Sequence, residues 1–195
     1  MKLTPENILA ALEEQIRNSQ QTLHEADYCP ARTREQVADL ARKYGSPVLD
    51  VGTGSRACLA VILAQKGISV TAVDRASSAV HIARERAAGN PECDLKVRQA
   101  DAVRLPYADH SFQAVTAFDA LCHADDPVSV VKEMFRVCAQ RGAVLIAELN
   151  DLGRQLTRHL DDGFQNNLPD LLSGLCRNCQ RIDEAHHVIY ICEKG

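Results

Sequence analysis

Acidic residues in this chain fall where apolar runs end, and a glycine turn lies between the first two of them. Asp50 sits inside the run VLDV (48–51), two residues before Gly52-Thr53-Gly54. Asp74 closes VTAVD (70–74), Asp101 follows a β-rich run over 94–99, and Asp119 follows Phe118. Glycine lets a backbone approach a ligand closely, and a helix that starts after such a turn offers unpaired N–H groups at one point. An acid at the end of the next strand accepts from ribose hydroxyls, which is the place of Asp74. The chemistry these residues allow is the holding of a nucleoside-containing cofactor. Gly52-x-Gly54-x-x-Ala57 also satisfies a dinucleotide fingerprint, so an NAD(P)-linked oxidoreductase is an alternative. Asp50 argues against it, because a carboxylate there is a poor neighbour for a pyrophosphate and a good one for an amine.

These residues need short strands ending at one edge, and the pattern supplies them. Val48–Val51 is a strand, followed by a helix over about 55–66 that Gly67 ends. A second strand runs over 68–73, a helix over 77–88, a third strand over 94–99 and a fourth over 113–118. Asp126-Pro127 caps a helix to about residue 140, and Gly142 precedes a fifth strand over 143–149. Alternating strands and helices predict a parallel sheet covered on both faces. Beyond Asn150 the pattern is irregular. Two short runs, 180–184 and 187–192, have no helix between them and read as an antiparallel hairpin. The fold class expected is α/β: a Rossmann-like, seven-stranded, mostly parallel sheet with a C-terminal antiparallel hairpin.

Ahead of this core, Thr4-Pro5 opens a helix with Ile8, Leu9, Leu12, Ile16 and Leu23 on one face. The stretch 27–30 breaks it. A second helix is expected from Thr33, with Gln36 completing a capping box, to Gly45. The whole reads as a single domain over 1–195: a helical lid over 1–45, a cofactor-binding core over 46–150, and C-terminal helices and hairpin over 151–195.

Composition narrows the partners. A net charge of −4 without a basic run, and the absence of Trp, argue against nucleic acid. The longest apolar run, ACLAVILA (57–64), is too short to span a membrane. With no signal-peptide pattern, the expected location is cytoplasmic and the expected partner a small molecule. Oligomeric state is not legible, and a homodimer stays open. Eight cysteines are best read as reduced and structural. Cys176 and Cys179, with His186 and His187 beyond, have metal-ligand types, but the short gap to the histidines leaves the expectation at no metal.

Taken in order, VLDVGTGS (48–55), VTAVD (70–74), QADAVRLPYADHSFQAV (99–115) and AFDALCHADDPVSVVKEMFRV (117–137) resemble the motifs of class I S-adenosyl-L-methionine-dependent methyltransferases. The resemblance is to the type 11 group, which includes quinone-biosynthesis methyltransferases. It implies S-adenosyl-L-methionine as cofactor, with Asp50, Gly52, Thr53 and Gly54 around its methionine end. It implies Asp74 at the ribose, Arg75 beside the adenine, and Asp101 and Ala102 at the adenine edge. Phe118 and Asp119 would lie beside the methionine and the reactive methyl. His123 is the candidate general base, and Tyr28 and Cys29 are candidates for the substrate side. Arg56 departs from the family, which has a third glycine there; it is expected to point to solvent or to meet the cofactor carboxylate. A non-catalytic cofactor-binding protein and a metalloid methyltransferase are the remaining alternatives. Glu148, near the end of the fifth strand, is a further residue that could face the substrate, and the sequence does not decide it.

Overall fold

The computed structural model describes residues 29–157 and 164–195. Its seven strands are β1 (Val48–Val51), β2 (Val70–Asp74), β3 (Leu95–Gln99), β4 (Phe112–Phe118), β5 (Cys138–Leu149), β6 (Asn178–Asp183) and β7 (His187–Glu193). They form one sheet in the order β3-β2-β1-β4-β5-β7-β6. The first five are parallel, and β7 is antiparallel to both β5 and β6. The expected Rossmann-like sheet and terminal hairpin are therefore present, with β7 inserted between β5 and β6.

Successive side chains of a strand leave opposite faces, so a strand buried on both sides reads as a continuous apolar run. β1 does so: Val48 joins one core and Leu49 the other. The first core is closed by α1 (Pro30–Arg42), α2 (Cys58–Gln65) and α3 (Ser77–Ala88), through Val37, Leu63 and Val80. The second is closed by α4 (Pro127–Val137) and α6 (Phe164–Ser173), through Val130, Met134 and Leu172. Each such fully buried aliphatic side chain contributes about 1.5–3 kcal/mol. No helix among the described residues is long and apolar enough to cross a membrane.

The structure corrects several boundaries. α1 starts at Pro30, with Cys29 at the N-cap position and no side-chain cap, so Thr33 is a buried residue of the first turn rather than a cap. Proline at the first helical position presets φ and lacks an N–H that would need a partner. α2 starts at Cys58, because Ala57 adopts φ 45° and prolongs the turn. Between α4 and β5 the chain turns extended at Cys138, where a longer helix was expected. Gly142 explains this: a Cβ there would lie 2.4 Å from the Gln113 carbonyl oxygen, so residues 138–142 run tightly along β4, with a register shift between Phe112 and Ala114. The segment after Asn150 is not irregular throughout, since it contains α5 (Asp151–Thr157) and α6. Of the expected lid, the first helix lies outside the described residues. The second, α1, buries Val37, Ala38 and Ala41 in the first core.

Within α4, Glu133 pairs with Arg136 three residues on. Arg136 also donates to Asp109 and to the carbonyls of Leu105 and Tyr107, tying the loop after β3 to α4.

Candidate cofactor-binding site

The carboxyl ends of β1, β2 and β4 open into a cavity of about 840 Å³. All ten residues expected to hold a cofactor line it, and so does His123. The glycine turn is shaped by its own backbone: Gly52 and Gly54 have φ of 71° and 64°. Gly52 is further fixed by Ala120, whose Cβ would be 2.5 Å from a Cβ at position 52. Its N–H and that of Thr53 both reach the Val73 carbonyl, locking the turn to the end of β2.

Three carboxylates converge here in different states. Asp74 is held open-handed: Oδ2 accepts the Gly54 N–H and Oδ1 the Ala76 N–H, each at 2.9 Å. Asp50 is buried in β1 and accepts the Thr116 hydroxyl at 2.9 Å. Burial pushes its carboxyl up to about 6, against the pull of the Thr53 and Thr116 hydroxyls and of Arg34, while Asp74 adds to the rise. Asp119 follows β4 at φ 49°, an αL conformation that aspartate tolerates better than most residues. Its Oδ2 meets His187 Nε2 at 3.3 Å, and its Oδ1 is buried without a hydrogen-bond partner among the described residues. A buried, unpaired carboxylate oxygen is costly unless a ligand donates to it. A glycine turn, Asp74 at the end of β2, and Asp50 and Asp119 on one cavity are a lining that fits a nucleoside cofactor carrying an ammonium group.

The profile of the Methyltransferase domain family matches residues 49–146. The chain belongs to this family. A ubiquinone biosynthesis O-methyltransferase of Paracidovorax citrulli is 36% identical over 117 residues, covering 58% of this chain and 48% of that protein. Cycloartenol-C-24-methyltransferase 1 of Oryza sativa is 39% identical over 101 residues, covering 50% of this chain and 29% of that protein. The chain spans less than half the length of these relatives. Among solved structures, a putative S-adenosyl-L-methionine-dependent methyltransferase of Methanococcus maripaludis superposes with a TM-score of 0.69 at 14% identity, over 91% of this chain and 93% of that one. The [4+2]-cyclase SpnF shares the fold with a TM-score of 0.65 at 17% identity, over 83% of this chain and 80% of that one. Membership of the methyltransferase family implies S-adenosyl-L-methionine as the cofactor.

Within this methyltransferase fold, Ala57 occupies the close-packed place at the start of α2 and is fully buried. Arg56 is thereby turned outward and lines the rim of the cavity, exposed. Arg75 lines the cavity with its side chain tied to the opposite wall. Its guanidinium donates to Asp125 at 2.5 Å and to the His123 carbonyl at 3.4 Å, bridging the end of β2 to the 3-10 turn Leu121–His123. Asp101 accepts the Val103 N–H and keeps its loop turned toward the cavity. Cys29 is exposed at the start of α1 and is not part of the cavity lining, and Tyr28 lies outside the described residues.

Sequence reasoning missed Arg34 and gave Glu148 and His187 other places than these. Arg34 of α1 lines the cavity with Cζ 4.3 Å from the centre of the Phe118 ring. Glu148 is buried at the end of β5, and its Oε1 accepts the N–H groups of Ala120 and Leu121. Burial pushes it up to about 7, with Asp119 adding to the rise and the Leu121 and Ala120 N–H groups and the Cys122 thiol opposing. His187, grouped in the sequence with Cys176 and Cys179, stands instead opposite Leu149, its ring 5.0 Å from that of Phe118. Only the antiparallel register of β7 brings it there, and no local signal encodes that register.

Proposed function

We propose that the protein is an S-adenosyl-L-methionine-dependent methyltransferase acting on a small molecule, with one domain over 1–195. Residues 46–150 would hold the cofactor, 151–195 complete the sheet, and 1–45 shape the substrate side. The observation that carries the reading is the unpaired, buried Asp119 Oδ1 in the same cavity as Asp50 and Asp74.

When bound, S-adenosyl-L-methionine supplies an electrophilic methyl on a sulfonium leaving group. The chain's task is to orient and to exclude water, an effect that supplies up to about 7–11 kcal/mol in aligned reactions. Asp50 and Asp119 would accept from the ammonium of the methionine end, and Asp74 would accept from the ribose hydroxyls. Arg75, Asp101 and Ala102 would border the adenine. Gly52, where Ala120 takes the space a side chain would need, would present bare backbone to the methionine end. Glu148 fixes the Ala120–Leu121 turn that carries Asp119 and His123 toward the cavity. His123, exposed on that turn, takes a proton from an acceptor that arrives protonated. Arg56 at the rim is available to a carboxylate.

Calorimetric titration with S-adenosyl-L-methionine, S-adenosylhomocysteine and NADH tests this. Expected are dissociation constants on the order of micromolar for both adenosyl-sulfur ligands and none measurable for NADH. Binding of NADH alone would overturn the reading. Cofactor binding without turnover across phenol, amine and carbon-acid acceptors would reduce it to a binding protein.

A further inference from the structure

Cys176, Cys179 and Cys192 meet at the end of the sheet away from the cavity. Cys176 is held in the turn after α6, where its N–H returns to the Leu172 carbonyl at 3.2 Å and its Sγ donates to the same oxygen at 3.0 Å. The chain then enters β6, and Cys179 stands directly across from Cys192 of β7. Residues opposed in an antiparallel pair project to the same face. The three Sγ atoms lie within 4.8 Å of one another, and those of Cys179 and Cys192 are 2.6 Å apart. Cys192 is buried, Cys176 half-buried and Cys179 exposed, so the cluster has a protein wall and an open side.

Structural cysteine ordinarily behaves as a small hydrophobe. Here the sulfurs face each other instead. Contact with Cys192 draws the Cys179 thiol down, and the same contact together with burial drives the Cys192 thiol far up. Three sulfur atoms within 4.8 Å of one another make a donor set that one soft cation can bridge.

We propose that Cys176, Cys179 and Cys192 bind one thiophilic cation of the Zn(II) or Cu(I) class, with a further coordination position open to solvent. Thiolate donors select such ions over the hard, oxygen-seeking ones. No histidine or carboxylate among the described residues joins the group, and His187 lies at the other end of β7. Metal–sulfur bonds of about 2.3 Å at tetrahedral angles set sulfur–sulfur separations of about 3.8 Å. The Cys179–Cys192 pair must therefore widen, and Cys179, exposed on the edge strand, is the side chain free to rotate. The ion would clip the turn after α6 to the β6–β7 hairpin and seal an edge of the sheet. Binding releases thiol protons, so affinity rises with pH.

The test uses the full chain, purified and reduced without oxygen and stripped with a chelator. Zn(II) is titrated against a chromophoric chelator, Cu(I) likewise, and Co(II) is read by its thiolate charge-transfer absorption. One equivalent is expected, with affinity lowered by at least about 100-fold in Cys176→Ser and Cys179→Ser, beyond the 10–100-fold that outer partners cost. Cys93→Ser, on a different surface, is expected to bind as wild type. Because Cys192 is buried, the exposed Cys179→Ser carries the decision. Wild-type affinity no tighter than that of the serine variants overturns the proposal. So does a Cys179–Cys192 disulfide as the sole stable state of the cluster, with no ion bound after its reduction.

Discussion

The Asp119 carboxylate and the His187 ring join the end of β4 to the start of β7, Oδ2 to Nε2 at 3.3 Å. His187 is buried, and its Nδ1 lies 3.5 Å from the Thr33 hydroxyl of α1. The pair thus anchors Asp119 to β7, which gives no residue to the cavity lining, and to α1, which also supplies Arg34. His187→Ala should lower stability by about 1–3 kcal/mol, the cost of unpaired buried groups. It should also weaken S-adenosyl-L-methionine binding, whereas His187→Gln should recover part of both. Denaturant unfolding and calorimetry on the same samples check this; unchanged affinity in a destabilised His187→Ala protein would make the pair purely structural.

Gly52→Ala should abolish cofactor binding while leaving the core intact. The substitution puts a methyl on Ala120 and costs about 1–2 kcal/mol for the left-handed backbone alone. Adding Ala120→Gly removes the collision but not the backbone cost, so the double variant should bind at an intermediate affinity. Equal loss in both variants would show that the collision is not what excludes a side chain.

Protonation should govern both stability and binding. Glu148 ionises at about 7 in the fold against 4.5 ordinarily. The folded state then binds more protons than the unfolded one across that window. Its contribution is fully present below the ordinary value and is lost as pH rises through about 7, a swing of about 3 kcal/mol. Glu148→Gln keeps an acceptor for the Ala120 and Leu121 N–H groups and removes the titration. Relative to wild type it should gain stability between about pH 4 and pH 8, read from urea midpoints at each pH.

The Asp50 carboxyl is also pushed up, to about 6. A cationic ligand group favours its ionised form, so affinity for S-adenosyl-L-methionine should fall as pH drops below about 6, with proton release on binding above the ordinary range. Calorimetry in buffers of different ionisation enthalpy measures that release, and Asp50→Asn should flatten the pH profile.

Arg136 is expected to be hard to replace. Lysine offers a point charge where the guanidinium serves Glu133, Asp109 and two carbonyls at once. Arg136→Lys should cost roughly 1–2 kcal/mol, discounted for partial exposure, and should increase hydrogen exchange in the loop 105–109.

The sheet was legible because its strands are short apolar runs punctuated by glycine and closed by acids. VLDVGTG and VTAVD set the turn, the parallel neighbour and the ribose acid within a few residues of each other, and local pattern suffices for such features. What stayed hidden depends on residues distant in the chain. Arg34 gives no sign of facing Phe118 until α1 packs on the sheet. His187 could be placed only from the register of β7 on β5. The helical pattern of α4 runs on smoothly past Cys138, while the close approach of Gly142 to β4, which ends the helix there, is a tertiary fact. The residues around Thr33 spell a capping box, yet Pro30 starts the helix earlier.

The strand order carries a consequence for synthesis. Five parallel strands emerge from a ribosome in the order in which they can pair, but β5 then waits for its outer neighbour until α5, α6 and β6 have been made. During that interval the long apolar edge of β5 is open to any other strand. When β7 arrives it closes the edge and delivers His187 to Asp119 in the same event. The cavity therefore cannot mature ahead of the sheet, and a nascent chain caught before β7 would present a sticky edge together with an unsupported site.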